Sequence, residues 1–241
     1  MNYGVILAGG NGNRMKNLNI PKQYYEINNK PIFIYTLLAM LKPNVFDKIY
    51  IAIQKSYIDL VNDYIKKHVS KENYGKIVVV TGGKERIDTI HNVLKEISSN
   101  KINDDDVVVI HDAVRPFVTE KIIHDSIKYA KKYGAVVASV PVEDTMLVSL
   151  DNKQVNSIPN RNTLYRGQAP DSFKLKTLIE LEKNLNDKEK KMVTGTSQIC
   201  TINNYPIIMI PGDSINFKIT NDSDLIIAEK LILSKDDNVN V

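Results

Sequence analysis

YGVILAGGNGNRM, residues 3–15, followed by PKQ at 21–23, is the stretch from which the rest of the chain can be read. Residues 3–8 are a short apolar run, and Gly9, Gly10 and Gly12 follow it at once. Three glycines in four positions let backbone N–H groups approach phosphate closely, while Arg14 and Lys22 add positive charge where a polyphosphate would lie. Two familiar phosphate loops do not fit. Counted from Gly10, a dinucleotide fingerprint needs a third glycine where Met15 stands, and the second apolar run does not end in an acid that would hold a ribose. A P-loop would end in GK[ST], which is absent. A plain tight turn leaves the nearby arginine and lysine unexplained.

Outward from this run, short β-branched segments recur at 48–53, 76–81, 107–110, 135–140 and 205–210, with helical stretches at 31–41, 57–68, 86–97 and 120–133. Several of the apolar segments are continuous, as strands covered on both faces are. Ile87, Ile90, Leu94 and Ile97 follow the rhythm of one buried helix face. This alternation predicts an α/β fold, a doubly wound, mostly parallel Rossmann-like sheet with right-handed crossovers, in a single domain over residues 1–241. The rhythm breaks within VEDTMLVSLDNKQVNSIPNRNTLYRGQAP, residues 142–170, where a turn signal stands at Asp151 and Asn152. Residues 143–170 read as a protruding two-stranded β-arm, which must fold back or pack on a partner chain. A lysine-rich helix over 173–190, the last strand and a closing helix near Asp222 complete the expectation. Asn221 or Asp222 is the expected N-cap, and the tail from Ser234 is expected to fray.

Composition excludes several classes. A chain of 241 residues, 43% hydrophobic and 25% charged, has ample material for a core. No apolar run reaches the roughly 18 residues of a membrane helix, so no membrane association is expected. The opening MNYGVILAGG lacks a basic n-region and a long apolar core, which predicts a cytoplasmic location. Cys200 is the lone cysteine, which excludes an intrachain disulfide or a cysteine-based metal site, and beside Ile199 it reads as a buried structural thiol. The net charge of +4 is spread along the chain, which suits a small anionic substrate and argues against nucleic acid.

Two further motifs follow apolar runs. In HDAVRPF, residues 111–117, Asp112 falls at the carboxyl end of a strand, where open α/β sheets bind ligands. A carboxylate facing a triphosphate there suits Mg²⁺, which takes one or two carboxylates and completes its shell with phosphate and water. The bland reading is an ion pair of Asp112 with Arg115; His111 reads as a packed residue. In TGGKERIDT, residues 81–89, a strand end, a glycine turn and a helix start supply a pocket wall.

LAGGNGNRM with PKQ, GGKER with Thr89, HDAVRPF, VEDTM, IPNRNTLYRGQAP and INFKIT, in this order, resemble the polyol-phosphate cytidylyltransferases, which couple CTP to small polyol phosphates. Members act on 2-C-methyl-D-erythritol 4-phosphate in isoprenoid synthesis or on ribitol 5-phosphate in teichoic acid and capsule synthesis. The resemblance implies a CTP-dependent enzyme with Mg²⁺ as cofactor. It assigns Leu7, Ala8, Gly9, Gly10, Gly12, Gly83, Thr89, Asp112 and Ala113 to the nucleotide, with Asp112 on the metal. Arg14, Lys22 and Lys218 become catalytic, and Thr145, Arg161, Thr194 and Lys218 meet the polyol phosphate. In members the arm crosses to a second subunit, which implies a homodimer whose Thr145 and Arg161 serve the partner. Ala169 and Gly195 depart from the family pattern, and Tyr165 and Ile215 from that of the isoprenoid enzymes, all around the expected acceptor pocket. The Tyr-Arg-Gly-Gln stretch, the valine of HDAVRPF and Ile215 look closer to the ribitol branch. The methylerythritol acceptor is the nearest rival. A silent nucleotide-sensing subunit is disfavoured by the joint presence of Arg14, Lys22 and Asp112, and a nicotinamide oxidoreductase by Met15.

Overall fold

The computed structural model of the protein describes residues 1–10 and 20–237. Its strands are β1 (Asn2–Leu7), β2 (Glu26–Ile27), β3 (Lys30–Pro31), β4 (Lys48–Ile53), β5 (Ile77–Thr81), β6 (Val107–Asp112), β7 (Ala135–Pro141), β8 (Tyr165–Lys174) and β9 (Ile208–Pro211). Its helices are α1 (Ile32–Leu41), α2 (Ile58–His68), α3 (Lys71–Tyr74), α4 (Arg86–Ile97), α5 (Glu120–Tyr133), α6 (Leu175–Lys183), α7 (Asp187–Met192), α8 (Gln198–Ile202) and α9 (Asp222–Asp237). Strands β2 and β3 form a small hairpin, and the other seven make one sheet in the order β5-β4-β1-β6-β8-β7-β9. Within that sheet only β8 runs antiparallel to its neighbours. The chain leaves β1 toward β4 on one side and places β6 on the other, so the β1/β6 boundary is the switch point where such sheets open a ligand crevice.

Alternation along the strands sends side chains to two layers. Ile6, Ile51 and Val109 pack with Phe33, Leu37 and Ile123 of α1 and α5 on one face. Val5, Val108 and Ile110 pack on the other with Ile87, Ile90, Leu94 and Ile97 of α4 and Leu178 of α6. Each such side chain, fully buried, contributes about 1.5–3 kcal/mol, which is why the continuous apolar runs settle between two helical layers. A third cluster, with Val114, Phe117, Ile219, Leu225 and Ile232, holds α9 against the end of β6. Asn221 caps α9, its Oδ1 accepting the N–H of Asp224 at 2.9 Å, and the helix continues past Ser234 to Asp237, where the sequence led one to expect fraying.

Three sequence expectations need correction. Residues 165–174, read as the end of the arm and the start of a helix, form β8, inserted between β6 and β7 with Ala169 to Phe173 buried. Gly167, Pro170 and Asp171 hide that strand from a pattern search, because strand interiors disfavour all three. The register slips between Val137 and Ser139, so the missing N–H of Pro170 falls at a bulge, where no ladder bond is lost. The expected helix over 173–190 is two helices, broken where Asn186 caps α7 by accepting the N–H groups of Lys188 and Glu189 at 3.0 Å. The last strand is shorter than 205–210, since Pro206 lacks a donor for the ladder.

The segment between β7 and β8 projects from the sheet. Asp151 Oδ1 accepts the N–H groups of Lys153 and Gln154 at 2.9 Å, forming the expected turn, with Asn152 at φ 60°. The expected two-stranded pairing reduces to a single antiparallel bridge, Val148 with Ser157. A lone hairpin exposed on both faces has too little burial to hold a longer ladder.

Candidate active site

The C-terminal ends of β1, β5 and β6 open into a cleft of about 380 Å³, lined by residues 7–10, 22–23, 83–86, 89, 112–114 and 218. At the first turn, a Cβ added to Gly9 or Gly10 meets no atom of the described residues within 4 Å, and neither has a positive φ. Glycine there leaves open cleft rather than relieving crowding or strain. Gln23, almost wholly buried, donates through Nε2 to the carbonyls of Ala8 at 2.7 Å and Gly10 at 2.8 Å. Gln54, at the end of β4, donates to the Gly9 carbonyl at 3.0 Å. Lys22 and Gln23 sit on a 3₁₀ turn, Lys22–Tyr24, fixed by Tyr24, whose fully buried ring stacks on Tyr57 at 4.6 Å between centroids. Gly12 and Arg14 lie outside the described residues.

The second turn is tighter. Gly83 donates its N–H to Thr89 Oγ1 at 3.0 Å, and Thr89 Oγ1 donates to the Glu85 carbonyl at 3.1 Å. A Cβ on Gly83 would lie 2.2 Å from the Cβ of Asp88, so backbone packing itself requires glycine here.

Asp112 is the hub of the floor. Its Oδ1 accepts from Arg86 at 3.2 Å, and its Oδ2 from Arg115 and Lys218, each at 3.1 Å. Burial alone would raise its pKa, but Arg86, Lys218 and Arg115 together hold the carboxyl well below the usual carboxylate range. Three cations on one carboxylate leave the floor positive, as a site for a polyanion requires. A chain of hydrogen bonds holds the segment that leads to Lys218. The bulge in β8 presents Gln168, which bonds the backbone of Asp213 in both directions, accepting at 3.2 Å and donating at 2.8 Å. Asn216, fully buried, donates to the Ala169 carbonyl at 2.7 Å, and its own carbonyl accepts from Arg115 at 2.8 Å.

Beneath this floor lies Asp171 of β8, buried, with its Oδ2 accepting the Ser197 N–H at 3.1 Å. Burial pushes its pKa up to about 6, Asp112 adding to the rise and Arg86 opposing it. His111 is buried, bonded through Nε2 to the Arg115 carbonyl at 3.0 Å, and burial lowers its pKa to about 4, so it is a neutral packing residue. Cys200 is buried and its pKa is pushed up to about 12, also by burial.

The cleft thus gathers Leu7, Ala8, Gly9, Gly10, Lys22, Gly83, Thr89, Asp112, Ala113 and Lys218 of the residues picked from the sequence. It does not gather Thr145, Arg161 or Thr194. Thr145 and Arg161 are exposed on the projecting segment, where Arg161 donates to the Glu143 carbonyl at 3.0 Å. Thr194 donates through its N–H and hydroxyl to Gln198 Oε1, at 2.9 and 3.2 Å, beside α8. Sequence reasoning missed Arg86 and Gln23 as cleft residues, although both stand inside quoted motifs, and it gave Arg115 only the role of a structural partner.

The donor set accepts a metal of a particular kind. Asp112 is ionised at the cleft wall, and its Oδ1, bonded only by Arg86, retains a lone pair beyond the bonds described. Among the described residues no cluster of three His, Cys, Asp or Glu exists to cage an ion. One carboxylate with no cage fits Mg²⁺ that takes its other ligands from phosphates and water.

Known structures share this architecture. A 4-diphosphocytidyl-2C-methyl-D-erythritol synthase from Anaerococcus prevotii superposes with a TM-score of 0.77 at 25% identity, over 96% of each chain. A 2-C-methyl-D-erythritol 4-phosphate cytidylyltransferase from Francisella tularensis does so with a TM-score of 0.77 at 29% identity, over 94% of this chain and 97% of that one. The enzyme of that name from Thermus thermophilus shares the fold, with a TM-score of 0.70 at 22% identity over 96% of this chain and 98% of that one. Residues 3–234 match the family described as IspD: 2-C-methyl-D-erythritol 4-phosphate cytidylyltransferase, which makes the chain a CTP-dependent cytidylyltransferase of that family.

Proposed function

We propose that this cleft transfers the cytidylyl group of CTP to a polyol phosphate, releasing pyrophosphate. The observation that carries the reading is Asp112, ringed by Arg86, Arg115 and Lys218 on a floor between two glycine turns. An oxygen of the polyol phosphate attacks the α-phosphorus, forming one O–P bond as the bond to the β-phosphate oxygen breaks, and the electron pair leaves with pyrophosphate. The attacking oxygen is already anionic, so no base is needed, and the neutral buried His111 is consistent with that. The protein's work is positioning and charge: Lys22 and Lys218 meet developing charge while the glycine turns hold the triphosphate. Arg14 belongs to the same assignment. Mg²⁺, when bound, would neutralise phosphate charge, with Asp112 as its protein ligand.

For the acceptor we propose ribitol 5-phosphate, supplying CDP-ribitol to cell-surface polymer synthesis. Support comes from the Tyr165–Gln168 stretch, Val114 and Ile215, the positions that resemble the ribitol branch. The family name and those of the solved relatives favour 2-C-methyl-D-erythritol 4-phosphate, which is the second reading. Purified protein given CTP, Mg²⁺ and each polyol phosphate in turn, with pyrophosphate measured, decides between them. We expect the kcat/KM for ribitol 5-phosphate to be the larger by about tenfold or more; the reverse order overturns the acceptor, and no pyrophosphate with either overturns the reading.

We further propose a homodimer in which Thr145 and Arg161 of each arm reach the other subunit's cleft. Met146, Leu147, Leu150, Val155 and Ile158 all stand exposed there, Leu150 at 84%. That much apolar surface on a projecting segment suits burial against a second copy.

A further inference from the structure

We propose that Gln23 and Gln54 are positioning residues that preset the first glycine turn for the triphosphate. Three successive carbonyls of that turn, Ala8, Gly9 and Gly10, are all taken by side-chain amides, two by Gln23 and one by Gln54. In a planar trans peptide the C=O and the following N–H point in opposite directions. Fixing the Ala8 and Gly9 carbonyls on the glutamines therefore directs the N–H groups of Gly9 and Gly10 to the side of each peptide opposite its glutamine. An unclamped peptide is free to turn, and a carbonyl facing the cleft would repel phosphate oxygens where an N–H attracts them.

The clamp also sets a distance. Gln23 follows Lys22 on the same short 3₁₀ turn, itself locked by the buried Tyr24, so the bonds that fix the carbonyls also fix the lysine relative to the amides. Gln54 ties the turn to the end of β4, a strand paired along most of β1. Two strands and the lysine turn thus converge on three peptide units. A glutamine suits this role because its Nε2 has two N–H groups, enough for two carbonyls at once.

The inference rests on placing the triphosphate at this turn, and the test separates the two ideas. Inorganic tripolyphosphate is used as a competitor of CTP in the steady-state assay with the parent protein. If it does not compete, the placement fails. If it does, Gln23→Met and Gln54→Met, which keep bulk and remove the donors, are compared with the parent. The lost bonds are expected to raise the KM for CTP and the inhibition constant of tripolyphosphate together, by about tenfold for Gln23→Met and about threefold for Gln54→Met. The KM for the polyol phosphate should stay within about twofold, a split that general loosening of the fold would not produce. Unchanged CTP and tripolyphosphate constants in folded variants overturn the clamp, as does a parallel loss toward both substrates. Gln54 is only half-buried, so its variant keeps the proposal testable if Gln23→Met does not fold.

Discussion

The cleft and the projecting segment after β7 carry residues of similar polarity to opposite ends. In the cleft, Asp112 is buried and each of its oxygens is bonded by a cation, Gly83 is pinned by Asp88, and the carbonyls of the first turn are all occupied. On the projecting segment almost every residue from 143 to 163 is exposed, apolar ones included, and one β-bridge is the whole of its ladder. Buried polar groups must be satisfied within the chain, whereas an exposed apolar segment has satisfied nothing. The floor of the cleft is therefore bonded chiefly within the chain as far as it is described, whereas the arm, in the dimer proposed above, would find its burial on a second copy.

The sharpest break in that comparison is expected from the cleft. Lys22→Ala should lower kcat by about 10² to 10³, since removing one preorganised charge from a site of this kind costs about 3–4 kcal/mol of transition-state stabilisation. Circular dichroism and the unfolding midpoint should stay near those of the parent. Near-normal turnover would remove Lys22 from the machinery. The arm should behave differently if, as in the proposed dimer, its effect crosses to another subunit. Arg161→Ala should raise the KM for the polyol phosphate by about ten- to a hundredfold, the range for a lost charge-assisted hydrogen bond. Refolding equal amounts of Lys22→Ala and Arg161→Ala chains together should then regain about a quarter of parental activity. Half of the dimers formed would be mixed, and one of the two clefts in each would have both a good lysine and a good arm. No regain on mixing, or a monomeric mass at assay concentration, would return the arm to a surface ornament.

The same contrast explains what could be read from the sequence. Strands β1, β4, β5 and β6 were legible because burial on two faces forces continuous apolar runs, and α4 because Ile87, Ile90, Leu94 and Ile97 mark a single face. The two glycine turns of the cleft were legible because glycine next to cations has few other uses. Strand β8 was not, because its buried stretch contains Pro170 and Asp171, tolerated by a bulge and by a long-range bond from Ser197 that no local window contains. Arg86 and Arg115 were visible in their motifs, but their convergence on Asp112 depends on β5, β6 and α4 meeting in space. Which positions line the cleft and which stand exposed on the arm is likewise a property of topology rather than of any motif.

Asp171 allows the cleft to be probed by pH, and the expected effect is the smallest of these. Its carboxyl, ordinarily at 3.8, is pushed up to about 6 in the fold, chiefly by burial. Between about pH 4 and 6 the folded chain holds a proton that the unfolded chain has released, so stability attributable to this group falls as pH rises through that window. Above it the cost stands at about 3 kcal/mol. Asp112 has the opposite sign: its lowered pKa stabilises the fold at neutral pH, and that stabilisation is lost only as pH falls below the carboxylate range. Asp171→Asn keeps an oxygen for the Ser197 N–H and removes the charge. Urea unfolding of variant and parent across about pH 4 to 8 should show little difference at the acid end and a gain of about 2–3 kcal/mol for the variant at the alkaline end, the difference opening between the two. A gap that does not vary with pH would mean that Asp171 titrates like an exposed carboxylate.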